Sequence, residues 1–461
     1  MNVTTINKMK IALLGATALL ASTAAHAQVA DTWTIGTEGA DATVTATNQN
    51  SVALNDFGST GVGTGMIVSQ LDGTKNSVSG AALGASASVG FNTTTSTDSS
   101  LTGVLAADNL NVSATNAGSV TNLSAIDVSG GVAGQLNSVS RVALGASAGL
   151  NASTTVIAGD QVFSYTAPAT SVTATNDLNA DGEAQTVYVG SSIAGGSVAG
   201  DGNSVSFAGI GSSASAGVSS TVLSGSETGT FNLSQAAGGD ANGLTVTSTN
   251  AANVIVTGPG ATDNATLDPA GIIDAVEITG TNGNSVSAAA LGSSASVSYA
   301  LTVYSGDVTN SAGIGATIDA DGNAAFSTDG VKITSVNGGT YDSATGDVAA
   351  LDVDPLPGVT NTTQIGTVAI SNTDGSNNSI SVAGIGASAS YSFSVTDVSG
   401  AGSAISNNLV GGTPTILAAN FSAVNVDSGI GGATIAGGVN NSVSTAAIGA
   451  SASQAFTLFT K

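Results

Sequence analysis

Few residues of this chain could do chemistry, and the most suggestive of them are oxygens. The segment "DLNADGE", residues 177–183, sets Asp177, Asn179 and Asp181 at alternate positions ahead of Gly182. Alternating carbonyl and carboxylate oxygens around a glycine turn are what a hard cation such as calcium requires. The place where such a loop supplies a bidentate glutamate is held by Tyr188, and the same residues also suit a solvated Asp-Gly turn, so both readings stand. "TIDADGN", with Asp319 and Asp321 before Gly322, repeats the pattern in shorter form. Nucleophilic catalysis has less to draw on. The only histidine is His26, there are no cysteines, and beyond Ala27 the cations are Lys75, Arg141, Lys332 and Lys461. Without His or Cys the usual nucleophile and base pairs cannot be assembled. Paired carboxylates for glycoside hydrolysis would want an aromatic cleft, yet Trp33 is the only tryptophan. No enzymatic activity and no organic cofactor are expected.

The amino terminus reads as an export signal. Lys8 and Lys10 precede the apolar run "IALLGATALLAS" and the small-residue segment "TAAHA", which predicts a secretory peptide over residues 1–27, cleaved after Ala27. The exported chain then carries four cations against 30 acidic residues, a formal charge of −26. Such a chain cannot neutralise a phosphate backbone, so nucleic acid is not expected as a partner. Direct membrane insertion is not expected either, because no later run of about 18 apolar residues occurs. The reading places the product outside a bacterial cell, secreted or at the cell surface, with a secretion or surface-anchoring partner.

One phrase organises residues 28–461 into a single repeat region. It starts at Asn76, Asn137, Asn203, Asn284, Asn378 and Asn441 and reads Asn-Ser-(Val/Ile)-Ser, small residues, Leu or Ile, Gly, then alternating Ala and Ser. With 62 glycines, ten Phe, six Tyr and one Trp, a thin core repeated along an axis fits better than one globular core. In the fourth copy Ala295, Val297, Tyr299, Leu301 and Val303 alternate with small polar residues, the period of a strand. Upstream, Val286, Ala288 and Ala290 alternate on the opposite parity. The parity change is expected between Ala290 and Leu291, and likewise at Ala82/Leu83, Ala143/Leu144, Gly209/Ile210, Gly384/Ile385 and Ala447/Ile448. A slip of one residue turns a strand over, so its repetition predicts a bulge or corner. Gly84, Gly145, Gly211, Gly292, Gly386 and Gly449 follow it and are expected to supply backbone freedom there.

The leading asparagines have two readings, turn exits or a ladder of stacked amides, and a corner of a repeat stack can be both. Linkers rich in Val, Ile and Thr predict additional short strands. The expected fold is all-β and elongated, a β-solenoid, with a β-sandwich-like filament subunit as the alternative.

"NSVALN" and "VALGASA" resemble the head repeats of trimeric autotransporter adhesins, which implies a β-roll on a bacterial surface. Short repeats separated by variable linkers in an acidic Gly/Ser/Asn-rich chain also resemble the fibre-forming functional amyloid subunits of biofilms. Both resemblances imply an extracellular structural or adhesive protein. Three functions follow as expectations. The first is a self-associating subunit of surface or biofilm-matrix fibres, the second a discrete adhesin whose linkers bind a ligand, and the third a calcium-ordered surface-layer component.

Overall fold

In the computed structural model the chain is an all-β stack of parallel sheets, a β-solenoid, with no helix among the described residues. The structure describes residues 30–460 apart from 36–39, 56–72, 96–99, 106–108, 124–131, 191–196, 233–243, 258–271, 319–323, 327–330, 371–375, 399–404, 410–413, 428–431 and several shorter breaks. The expected signal peptide and the Asp319–Asp321 motif lie outside the described residues.

Six rungs follow one another, and each contributes the same three strands. The largest sheet is made of six strands of 19 residues: Ser77–Thr95, Ser138–Val156, Ser204–Val222, Ser285–Val303, Ser379–Asp397 and Ser442–Thr460. They pair in parallel and in register in rung order, so every phrase lies on the next. Facing the second half of these long strands is a sheet built from Ala42–Asn48, Asn109–Asn116, Ala169–Asn176, Leu244–Asn250, Val331–Asn337 and Thr415–Asn420. Facing the first half is a third sheet, from Val52–Asn55, Val120–Leu123, Thr186–Gly190, Asn253–Thr257, Val359–Asn361 and Val424–Val426. The linkers add strands of their own, such as Ser197–Ala199, Glu277–Thr279, Thr367–Ile370 and Gly432–Ile435, which form a further parallel sheet. Parallel in-register pairing excludes the sandwich alternative, whose sheets are antiparallel.

Two cores result, one on each side of the bend in the long strand. Ala, Val and Ser let the sheets approach closely, while Tyr299, Tyr391, Leu150 and Leu301 fill the wider part, all of them buried. The other core is built on Val139, Val205, Phe207, Val254 and Ile380. No single rung could exclude water from such a thin interior; stacking supplies the missing walls.

The corner is where the structure corrects the reading of the sequence. Alternation persists through the Leu/Ile position and reverses after the glycine: Val205, Phe207, Gly209 and Gly211 point inward, then Ser212, Ala214 and Ala216 do. The reversal therefore lies between Gly211 and Ser212, and between Gly292 and Ser293, two residues later than expected. Leu291 and its equivalents belong to the outer face; Leu83 and Ile448, in the terminal rungs, are exposed. Strand pairing skips the glycine in every rung, which marks the bend. None of these six glycines adopts a positive φ, so backbone freedom is not what selects them.

Candidate functional site

What selects the glycines is the following rung, whose ladder asparagine and glycine carbonyl both crowd the place a β-carbon would take. The strands facing the second half of the long sheet end in Asn48, Asn116, Asn176, Asn250, Asn337 and Asn420, and these stack as a column. Each Nδ2 donates to the Oδ1 of the next rung: Asn48 to Asn116 at 2.6 Å, then Asn116 to Asn176, Asn176 to Asn250, Asn250 to Asn337 and Asn337 to Asn420, all at 2.8 Å. The second amide hydrogen goes to a carbonyl two residues on, as from Asn250 to Ala252 at 2.8 Å. Buried amides must be paired, and this column pairs them along its length. Room for it comes from the long strand of the preceding rung. A β-carbon on Gly84, Gly211, Gly292 or Gly386 would overlap the Oδ1 of Asn116, Asn250, Asn337 or Asn420, and one on Gly145 would meet Asn176 Nδ2 at 2.7 Å.

The asparagines that lead the phrases also form a column, by another route. The backbone N–H of Asn76 donates to Asn137 Oδ1 at 2.8 Å, Asn137 N to Asn203 Oδ1 at 2.8 Å, Asn203 N to Asn284 Oδ1 at 2.9 Å, and Asn284 N and Asn378 N to the next Oδ1 at 3.0 Å. In three copies Nδ2 reaches a turn carbonyl of the preceding rung, Asn137 to Gly73 at 3.0 Å, Asn203 to Gly134 at 3.0 Å and Asn284 to Gly200 at 2.6 Å, whereas Asn378 Nδ2 donates to Asn441 Oδ1 at 3.1 Å. Turn exit and ladder are thus the same residue. The position just before it is left-handed in every rung: Lys75, Leu136, Gly202, Gly283, Asn377 and Asn440 all have positive φ.

Two further polar features hold the sheets together. Asn122 Nδ2 donates to Gly80 O and Val142 O, each at 2.9 Å, and Asn361 bridges Ala288 O and Ala383 O at 3.1 and 2.8 Å. In the middle rungs a buried serine zigzag runs from Ser212 to Ser248 at 2.7 Å, Ser248 to Ser293 at 3.0 Å and Ser293 to Ser335 at 2.9 Å. Register partners of these residues elsewhere are alanines, such as Ala146, Ala174, Ala387 and Ala418, so hydroxyls occur where they meet one another. Arg141 is buried as well. Its Nη1 donates to Gly190 O at 2.8 Å, and its guanidinium lies 5.8 Å from the centre of the Phe207 ring in the next rung.

The candidate calcium residues Asp177, Asn179 and Asp181 are brought together in one exposed turn. Asn179 Oδ1 accepts the backbone N–H groups of Asp181 at 3.0 Å and Glu183 at 2.8 Å, its Nδ2 meets Glu183 Oε2 at 3.2 Å, and Asp177 Oδ1 accepts from Leu178 N at 2.8 Å. Gly182 closes the turn at φ 78°. Asn179 thus spends its oxygen on the backbone. Tyr188 is buried in the following strand, and that burial raises its hydroxyl pKa to about 12. Beside the turn a shallow cleft of roughly 230 Å³ is lined by Thr175, Asp177, Thr249, Thr340 and Tyr341. Among the described residues no group of three or more His, Cys, Asp or Glu side chains could hold a metal ion. No helix among them is long and apolar enough to cross a membrane.

The last rung differs from the others. Inward positions of Ser442–Thr460, among them Ala447, Ala450, Ala452 and Phe456, are exposed, whereas their register partners in Ser285–Val303, Ala290, Ser293, Ala295 and Tyr299, are buried. An aromatic column, with Tyr299 and Phe393 stacked at 5.0 Å and Phe393 and Phe456 tilted at 6.1 Å, ends at Phe456, which is 53% exposed. Comparison with family models, curated proteins and solved structures yields no match to this chain.

Only part of this site is legible beforehand. The phrase asparagines and glycines are brought into columns; the second asparagine column is marked in the sequence only by "TATN", "SATN", "TATN", "TSTN" and "TSVN" before the phrase in the first five rungs, with "LAAN" in the sixth.

Proposed function

We propose that this protein is an exported structural protein of a bacterial surface or biofilm matrix, whose copies associate into fibres through their stacked β-rungs. The observation that carries this reading is the uncovered inner face of the last rung, at the end of a column of near-identical rungs. An apolar strand face and an unpaired edge are where a further strand is added most readily. The polar side chains described above join rung to rung and sheet to sheet, so they serve the stack rather than a substrate. The acidic excess keeps separate chains apart at low ionic strength, and screening by salt or divalent cations lowers that barrier.

Negative-stain electron microscopy of residues 28–461, with and without millimolar calcium, tests the reading. Uniform fibres growing from monomer are the expected result, while discrete rods that never associate would overturn it. Growth that requires calcium, is not restored by sodium chloride at equal ionic strength and is lost in Asp177→Asn would assign Asp177, Asn179 and Asp181 a ligand role; growth restored by salt alone would assign calcium to screening.

A further inference from the structure

The two ends of the stack carry complementary halves of the same contact. In the interior, the glycine of each long strand lies under the ladder asparagine of the following rung: Gly84 under Asn116, Gly145 under Asn176, Gly211 under Asn250, Gly292 under Asn337 and Gly386 under Asn420. Gly449 has no such partner among the described residues; a β-carbon there would meet nothing closer than Asn420 Nδ2 at 3.7 Å. At the opposite end Asn48 is a ladder asparagine with no described glycine beneath it. The amides are complementary too. Asn420 Nδ2 donates to Ser422 O at 2.7 Å and has a second hydrogen for a following rung, while Asn48 Oδ1 meets, among the described residues, only the weak Asn50 N–H at 3.3 Å.

We propose that the N-terminal rung of one copy stacks on the C-terminal rung of another, seating Asn48 over Gly449 and accepting the Asn420 amide, so that the asparagine column runs unbroken from copy to copy. This rests on the fibre reading above and names its interface. The long strands to be joined, Ser77–Thr95 and Ser442–Thr460, are both 19 residues and continue one register. In that register Phe91 falls on Phe456 and extends the aromatic column. A head-to-tail contact between unlike surfaces at the two ends of one stacking axis leaves a free surface at each end of the pair, so it propagates along that axis as a filament.

Gly449→Ala is the test, because its methyl group is harmless in the free chain and collides only in the stack of copies, with Asn48 and the Gly84 carbonyl of the second copy. The expected result is an unchanged thermal melt with a critical concentration for fibre growth raised at least about tenfold, equivalent to about 1.4 kcal/mol. Gly292→Ala, with the same methyl group in the interior, is expected to lower the melting temperature of the chain itself. Mixing chains carrying Ser88→Cys with chains carrying Ser453→Cys gives a second readout. These exposed serines share a register column, and strands about 4.8 Å apart are within disulfide reach, so mild oxidation should link unlike variants in preference to like ones. Fibres that grow equally well from Gly449→Ala, or cross-links no more frequent between unlike than like variants, would overturn this interface and leave the fibre reading standing. A parent chain that never associates would remove both.

Discussion

Rungs four and six are written in almost the same residues and live in different surroundings. "NSVSAAALGSSASVSY" in rung four has a neighbour on each side, and Val286, Ala295, Val297 and Tyr299 are all buried. "NSVSTAAIGASASQAF" in rung six has a described neighbour on one side, and Ala450, Ala452 and Phe456 are exposed. The phrase therefore has no core of its own. Its burial is conferred by the rung that follows, since rung one, with a described rung only after it, keeps Ala82, Ala85 and Ala87 buried, and stability is a sum of interfaces rather than a property of any segment.

Several changes would break or sharpen that contrast. Replacing Val286 and Tyr299 together by Asp puts two charges into buried apolar positions, and is expected to cost more than about 4 kcal/mol and abolish the cooperative melt. Circular dichroism checks this, and a variant that melts like the parent would refute the stacking account. Next is the asparagine column. Asn250→Ala orphans the Asn176 amide on one side and Asn337 Oδ1 on the other, an expected loss of about 2–4 kcal/mol, whereas Asn420→Ala, at the end of the column, should cost about half as much or less. Equal losses in urea unfolding would show that the column does not act as a connected unit.

A milder difference is expected in alkali. Burial raises the hydroxyls of Tyr188 and Tyr391 from 10.0 to about 12. Between those values the unfolded chain ionises while the folded chain keeps its protons, so stability is fully present below about pH 10 and falls as pH rises through about 12. Tyr391→Phe should flatten that decline, read as melting temperature against pH. The smallest expected effect is a gain. Leu136 is held at φ 58° although its side chain is half exposed, and rungs five and six have Asn at the same place. Leu136→Asn is expected to raise stability by about 0.5–1 kcal/mol, because asparagine enters the left-handed region at lower cost.

How much of this was legible depended on whether a residue's role was local or borrowed from another rung. Period-two alternation in "SASVSYALTV" announces a strand from its own side chains, and the all-β repeat fold follows from it. The bend was legible as a break in that alternation, but not its position. At Leu291 the sequence offers an apolar residue that continues the downstream parity, and only the folded chain shows that Asn337, 46 residues further along, occupies the inside of the corner and sends Leu291 outward. The glycine was visible and its reason was not, for the same cause. Serines 212, 248, 293 and 335 were indistinguishable from the outward serines around them until two sheets brought them face to face.

The phrase asparagines are separated along the chain by 61, 66, 81, 94 and 63 residues, yet each meets the next with the same bond. Closing a loop of 94 rather than 61 residues costs only about 0.4 kcal/mol more in chain entropy. Length between contacts is thus nearly free to the finished stack, and insertions of the size seen here leave the equilibrium almost untouched. Time is where they tell. Every contact between neighbouring rungs waits for a long segment of chain to return, so folding should be slow for its stability and should proceed by growth from whichever adjacent pair closes first.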